Sequence, residues 1–198
     1  MGTRHLIAVQ KNNEYKVAQY GQWDGYPTGQ GQSILNFFRE NDLEVFRAKV
    51  DNCFYGTQDQ INEAYAPYVN ADGWMTMEQS KAFQQSEFAH LSRDTGAKIL
   101  DFVIKSEGPL MLVDHIDFAK DSLFCEYAYV IDLNRNVLEV YQGFNKEPLE
   151  PGSRFYSEES KDGYMPVKLF KEFSLYDLPE SFDDLEKEMN GYEDEDEE

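Results

Sequence analysis

Phe124-Cys125-Glu126-Tyr127-Ala128-Tyr129-Val130-Ile131-Asp132-Leu133-Asn134-Arg135-Asn136-Val137-Leu138-Glu139-Val140-Tyr141-Gln142-Gly143 is the stretch that settles the fold class. Two runs rich in β-branched and aromatic residues flank the polar Asn134-Arg135-Asn136. Such residues suit a pleated surface, so the stretch predicts a strand over 124–133, a tight turn, and a return strand over 137–143. A second hairpin is predicted at the start of the chain, with strands over 6–9 and 15–20 around Lys11-Asn12-Asn13-Glu14. Between the hairpins the period changes. Ile34, Leu35, Phe37 and Phe38 follow Ser33, a residue able to cap a helix, and Leu43, Phe46 and Val50 recur at helical spacing beyond a break at Glu40-Asn41. Further helices are predicted over 58–65, 77–90 and 97–105, a short apolar segment over 110–113, and a last strand over 167–173. There is no internal repeat. Strands at both ends with helices between them imply an α+β fold: an antiparallel sheet built from the two hairpins, packed with several helices.

Charge is the next constraint. Thirty-eight acidic against 18 basic residues leave a net charge of −20. A general nucleic-acid binder needs a basic face to release counterions, and a peripheral membrane protein needs one to meet anionic lipid, so both classes are disfavoured. No apolar run approaches the roughly 20 residues of a membrane span. Two cysteines, Cys53 and Cys125, make no disulfide framework and fit a reducing cytoplasm. Hydrophobic residues at 41% and aromatics at 15% are enough for a real core.

The charge is unevenly placed. Residues 177–198 hold twelve acids and one base, Lys187. This divides the chain into a domain over 1–176 and an acidic tail over 177–198. The ending Glu193-Asp194-Glu195-Asp196-Glu197-Glu198 is a self-repelling block of like charge. Just upstream, Phe182, Leu185, Met189 and Tyr192 fall on one helical face, with Ser181 placed to cap it and Gly191 to stop it. The tail reads either as a solubilising appendage or as an amphipathic helix that docks on its own domain or on a basic partner. Truncation after Leu178 is expected to leave the melting temperature within a few degrees.

The candidate site residues cluster near the start. Residues 21–31 contain Gly21, Gly25, Gly29 and Gly31 with Pro27. The loop lies between a strand and a helix start, where backbone amides can gather around an anion. It lacks the P-loop lysine and the dinucleotide spacing, so a tight turn packed by Trp23 and Tyr26 is the plainer reading. The hairpin returns Arg4 and His5 toward Gln22, Trp23 and Asp24, with Tyr26 and Gln30 beside them: an apolar wall with a few polar groups, as recognition pockets have. The structural alternative is an ion pair of Arg4 with Asp24 or Asp94 that fixes the hairpin. Ser92-Arg93-Asp94-Thr95-Gly96 adds Arg93, whose planar fork can meet a carboxylate or a ligand, and Asp94, which with Ser92 can cap the helix near Ala97.

Complete catalytic sets do not emerge. Asp-Thr-Gly at 94–96 has no second copy to share a proton with. Thr3 is near the N-terminus, as in hydrolases with an N-terminal nucleophile, but Gly2 precedes it. His5, His90 and His115 form no close metal-binding pair, and Asp132-x-Asn134-x-Asn136 lacks the glycine and glutamate of a calcium loop. No metal or cofactor is implied, and whether the chain is an enzyme stays open.

Four blocks carry a resemblance: Gly2-Thr3-Arg4-His5-Leu6 running into Tyr20-Gly21-Gln22-Trp23-Asp24-Gly25-Tyr26-Pro27-x-Gly29-Gln30-Gly31, then His90-Leu91-Ser92-Arg93-Asp94-Thr95-Gly96-Ala97, Cys125-Glu126-Tyr127-Ala128-Tyr129-Val130-Ile131-Asp132-Leu133, and Leu138-Glu139-Val140-Tyr141-x-Gly143-Phe144-Asn145. The chain resembles, over residues 2–145, a family of bacteriophage and prophage proteins with more distant relatives in bacteria and fungi, a family without an assigned activity. The resemblance implies a phage-type accessory role in the host cytoplasm. Joined to the charge, it leads to the expectation of a protein that binds a basic surface of a host protein, a defence or nucleic-acid-handling factor, through carboxylates placed like phosphates. The alternative is a small-molecule binder or a hydrolase-like enzyme using residues 3–31.

Overall fold

The structure, a computed structural model, describes residues 2–191. The N-terminal hairpin is β1 (His5–Lys11) and β2 (Glu14–Gly21). Its turn uses Asn12 and Asn13 at positive φ, which asparagine tolerates. Helices α1 (Gln32–Glu40) and α2 (Leu43–Lys49) follow, separated at Asn41. Asp42 stops any merger of the two, because its carboxylate accepts from the amides of Glu44 and Val45 and starts α2 afresh. Then come β3 (Cys53–Tyr55), α3 (Gln58–Tyr65), α4 (Met77–Gln84), α5 (Ile99–Lys105) and β4 (Leu110–Leu112). The second hairpin is β5 (Tyr127–Asp132) and β6 (Val137–Gln142), and the chain ends with β7 (Lys168–Ser174) and α6 (Asp183–Met189).

The fold is α+β, and both hairpins pair antiparallel as their sequences require. The sheet as a whole departs from the expected antiparallel arrangement. Its order is β2-β1-β5-β6-β7, and β1 runs parallel to β5, Leu6 opposite Ala128 and Ile7 opposite Tyr129. The helical excursion between the hairpins returns the chain to the end of the sheet where β1 began, so the two hairpins join through one parallel seam. The pairing of β3 with β4 is also parallel.

Burial on both faces explains the unbroken apolar runs of β1 and β5. Ile7, Val9, Tyr129, Ile131, Leu138 and Val140 point into the main core beneath α1, α2 and α5. Leu6, Ala8, Ala128, Val130 and Tyr141 point the other way, under Ala119 from the 3-10 turn Ile116–Lys120 and Leu149, Phe155 and Val167 from loops. A third, smaller cluster holds Ala64, Phe83 and Leu91.

Two expectations need correction. Ser33 does not cap α1: the chain enters the helix through a π-helical turn, Pro27–Gly31, and the Ser33 hydroxyl donates to the Gly29 carbonyl. The helix expected over 77–90 ends at Gln84, since the Ser86 hydroxyl donates to the Phe83 carbonyl and also accepts from the Phe88 amide. In the tail, Phe182, Leu185 and Met189 belong to the main core, and Phe182 is fully buried. Gly31 makes room for it, as a Cβ there would lie 2.9 Å from the Phe182 ring. The Glu186 carboxylate accepts from both the amide and the hydroxyl of Thr28, at 2.8 and 2.6 Å. Helix α6 therefore packs as a layer of the main core, the docking on its own domain that was one reading of the tail. Tyr192 and the acidic ending lie outside the described residues.

Candidate recognition site around Asp94

Two segments distant in sequence are laced together at one end of the sheet. The Gln22 amide donates to the Arg93 carbonyl at 3.0 Å, and the Gln19 side chain donates to the Ser92 carbonyl at 3.1 Å. Gln30 reaches both ways, donating to the Trp23 carbonyl at 3.2 Å and accepting from the Ala97 amide at 2.7 Å. From the opposite side, Tyr65 donates its hydroxyl to the Leu91 carbonyl at 2.6 Å. The Trp23 indole N–H completes the lacing with a 2.9 Å bond to Asp94 Oδ1. So Gln22, Trp23, Gln30, Arg93 and Asp94 do come together. Asp24 sits at positive φ in the adjoining turn, its carbonyl accepting from the Gln30 amide, while the Tyr26 hydroxyl lies 3.4 Å from its carboxylate.

At its helix entry the glycine loop turns amides inward, and the Thr28 amide already meets the Glu186 carboxylate. Gly29, Gln30 and Gln32 donate theirs to Tyr26, Asp24 and the Pro27–Gly29 carbonyls. Asp94 does not cap α5 as expected, because its carboxylate turns to Trp23.

Arg4 and His5 depart from the expected grouping. Arg4 lies over the Phe124 ring, 4.6 Å from its centroid, with Nε 3.7 Å from Glu126. The expected pairing with Asp24 or Asp94 is replaced by this contact, since Glu126 sits just before the strand parallel to β1. His5 is 1% exposed, and neither ring nitrogen has a hydrogen-bond partner among the described residues. Its ring lies against the backbone of Gly21, where a Cβ would be 2.1 Å away. Burial holds its pKa down at about 4 against the pull of the Thr3 carbonyl and Asp24.

Two cavities border Asp94. One, of about 300 Å³, is walled by Tyr65, Trp74, Met75 and Phe83, with Arg93 and Asp94 at its edge. The other, of about 340 Å³, is lined by Gln84, Ser92, Asp94, Thr95, Lys98 and Phe102. Both tryptophans of the chain thus stand beside Asp94, one bonded to it and the other across a cavity. Trp74 is 74% exposed, yet its turn is fixed: the Asn70 side chain accepts from the amides of Asp72 and Trp74. The sequence reading missed Trp74. Its signal was an aromatic directly after Asp72-Gly73, a turn pair whose side chain has nowhere to bury.

A second polar cluster lies on the opposite face of the sheet. Arg154 donates to Asp132 and to both oxygens of Glu139, and also bonds Gln10. Glu139 further accepts from Arg135 and from the Tyr141 hydroxyl. Every acceptor position of Glu139 is occupied, so the cluster is a lock that seats the 150–154 segment on the sheet rather than a vacant site. A cavity of about 550 Å³ opens beside it, lined by Gln10, Tyr15, Arg135 and Glu172 among others. Cys125 is buried and its thiol pushed up by desolvation, which suits a structural cysteine and not a nucleophile.

Compared with known proteins, the chain matches no family model, no curated protein and no solved structure. Among the described residues no helix is long and apolar enough to cross a membrane.

Proposed function

We propose that the protein is a phage-type accessory protein that acts in the host cytoplasm by binding a basic surface of a host protein, such as a defence or nucleic-acid-handling factor. The observation that carries this reading is how the charge is spent. Among the described residues, twelve of the eighteen basic side chains are already held in ion pairs. Acids outnumber bases about two to one. Docking of α6 gives part of this surplus a fixed geometry. With Phe182, Leu185 and Met189 turned inward, Asp183 and Asp184 are exposed beside Asp177 and Glu180. Carboxylates on a rigid ridge lose little freedom on binding and can occupy sites built for phosphates. The test is retention of host proteins by the immobilised chain at low and high salt, with the Asp177→Asn/Asp183→Asn/Asp184→Asn variant alongside. Partner recovery at low salt that falls away with salt and in the variant supports the reading. Recovery indifferent to both overturns it.

A second reading, a small-molecule site beside residues 3–31, draws on the cavities that border Asp94. Its signature is binding that survives high salt.

A further inference from the structure

We propose that the cavity walled by Tyr65, Trp74, Met75 and Phe83, with Asp94 at its rim, receives a lysine or arginine side chain of a protein partner. The walls are what such a side chain needs. A tryptophan face attracts a cation most strongly of the aromatic rings, and the thioether and the two other rings take the aliphatic stem. At about 300 Å³ the cavity is at the small end of ligand pockets. It suits one side chain better than a large ligand.

The carboxylate is prepared for the part. Trp23 holds Asp94 Oδ1 from behind at 2.9 Å, which orients the group and leaves Oδ2 without a side-chain donor among the described residues. The backbone beneath is fixed by Gln19, Gln22 and Tyr65, so the rim is ordered before a ligand arrives.

Arg93 is the evident objection, since it also touches the cavity. The electrostatics of two tyrosines separate the neighbours. Tyr65, inside the cavity, is raised by burial and then by Asp94, with no contribution from Arg93. Tyr20, on the sheet side, is raised by burial, drawn back by Arg4 and Arg93, and raised again by Cys125 and Asp94. Of the two neighbours, the carboxylate is the charge felt at Tyr65 inside the cavity, while both are felt at Tyr20. Asp72, in the same turn as Trp74, is exposed and adds negative charge to that turn. The inference rests on the reading above only for the partner's basic character; the cavity is distinct from the α6 ridge.

Free probes test it on the full chain. Nα-acetyl-lysine amide and Nα-acetyl-arginine amide are titrated while the two indole N–H resonances are followed by NMR, Trp74 being assigned with Trp74→Phe. The neutral controls are the norleucine and citrulline amides. The expected result is a saturable shift at Trp74 with both cations, at least tenfold weaker in Asp94→Asn and absent with the neutral controls. Asn keeps an acceptor for Trp23, so a loss in this variant reports charge, and an unchanged circular dichroism spectrum confirms the fold. No saturable shift, equal shifts with norleucine amide, or binding unaltered in Asp94→Asn overturns the proposal. Tighter binding of tetramethylammonium than of either side-chain probe also overturns it, in favour of a free quaternary amine. Because the probes carry no partner, loss of host-protein binding in the ridge variant leaves this outcome unaffected.

Discussion

Trp23 and Asp94, 71 residues apart, are joined by one hydrogen bond that ties the loop after the first hairpin to the tip before α5. Both side chains are largely exposed, and the bond is charge-assisted. An exposed bond of this kind contributes about 1 kcal/mol or less net. Trp23→Phe is expected to lower the denaturant midpoint slightly and to raise amide exchange at Gln22 and Arg93 measurably. Unchanged exchange would show that the backbone bonds alone hold the two segments.

Phe182 tests how far α6 belongs to the domain. Removing a fully buried phenylalanine side chain typically costs 3–5 kcal/mol, the transfer loss adding to the cavity left behind. Phe182→Ala is expected to lose about that much in urea unfolding, and truncation after Leu178 to lose more. A truncated chain that melts like the parent would contradict the packing of Phe182 and Leu185 described here.

The Arg154 lock separates two kinds of loss. Arg154→Met leaves Asp132, 3% exposed, without its cation, and Glu139, 2% exposed, with Arg135 alone. Breaking a buried pair from one side costs about 3–5 kcal/mol. The triple variant Arg154→Met/Asp132→Asn/Glu139→Gln is expected to regain a large part of that stability, since no charge is left buried alone. Equal midpoints for single and triple variants would refute the lock.

His5 makes stability depend on pH. Its folded pKa of about 4 lies below the ordinary 6.5, so between these values the unfolded chain binds the extra proton. The contribution is complete above pH 6.5 and is lost as the pH falls toward 4, on the order of 3 kcal/mol in all. Burial also lowers His90 and His115, which adds to the slope with the same sign. Denaturant midpoints at pH 7, 5.5 and 4.5 are expected to fall steadily in the parent and less steeply in His5→Leu. Parallel slopes would assign the dependence to the other two histidines.

The elements were legible where the pattern was long. The hairpin over 124–143 and the helices after Ser33 announce themselves by alternation and by helical spacing. β3 escaped because three residues carry no period, and its partner β4 is distant in sequence. The parallel seam between β1 and β5 could not be read from either strand, as both are apolar on each face. For the site, Gln22, Trp23, Gln30, Arg93 and Asp94 were legible as polar residues among glycines and aromatics. Trp74 was not, because what recruits it is a turn that lies beside Asp94 only in three dimensions. Arg4 and His5 were read as strand residues facing the loop; the seam with β5 instead sends one to Glu126 and buries the other.

The parallel seam also sets an order of events during synthesis. The first hairpin can close as soon as residue 21 clears the ribosome, but the other edge of β1 waits for Tyr127–Asp132. At roughly 5–20 residues per second that is an interval on the order of ten seconds. An unpaired apolar strand edge is a template for joining other chains during such a wait. The α6 layer of the core arrives later still, after β7. The nascent chain thus exposes an apolar strand edge well before α6 is made, and its window for pairing with other chains is set by the synthesis of the segment between β1 and β5.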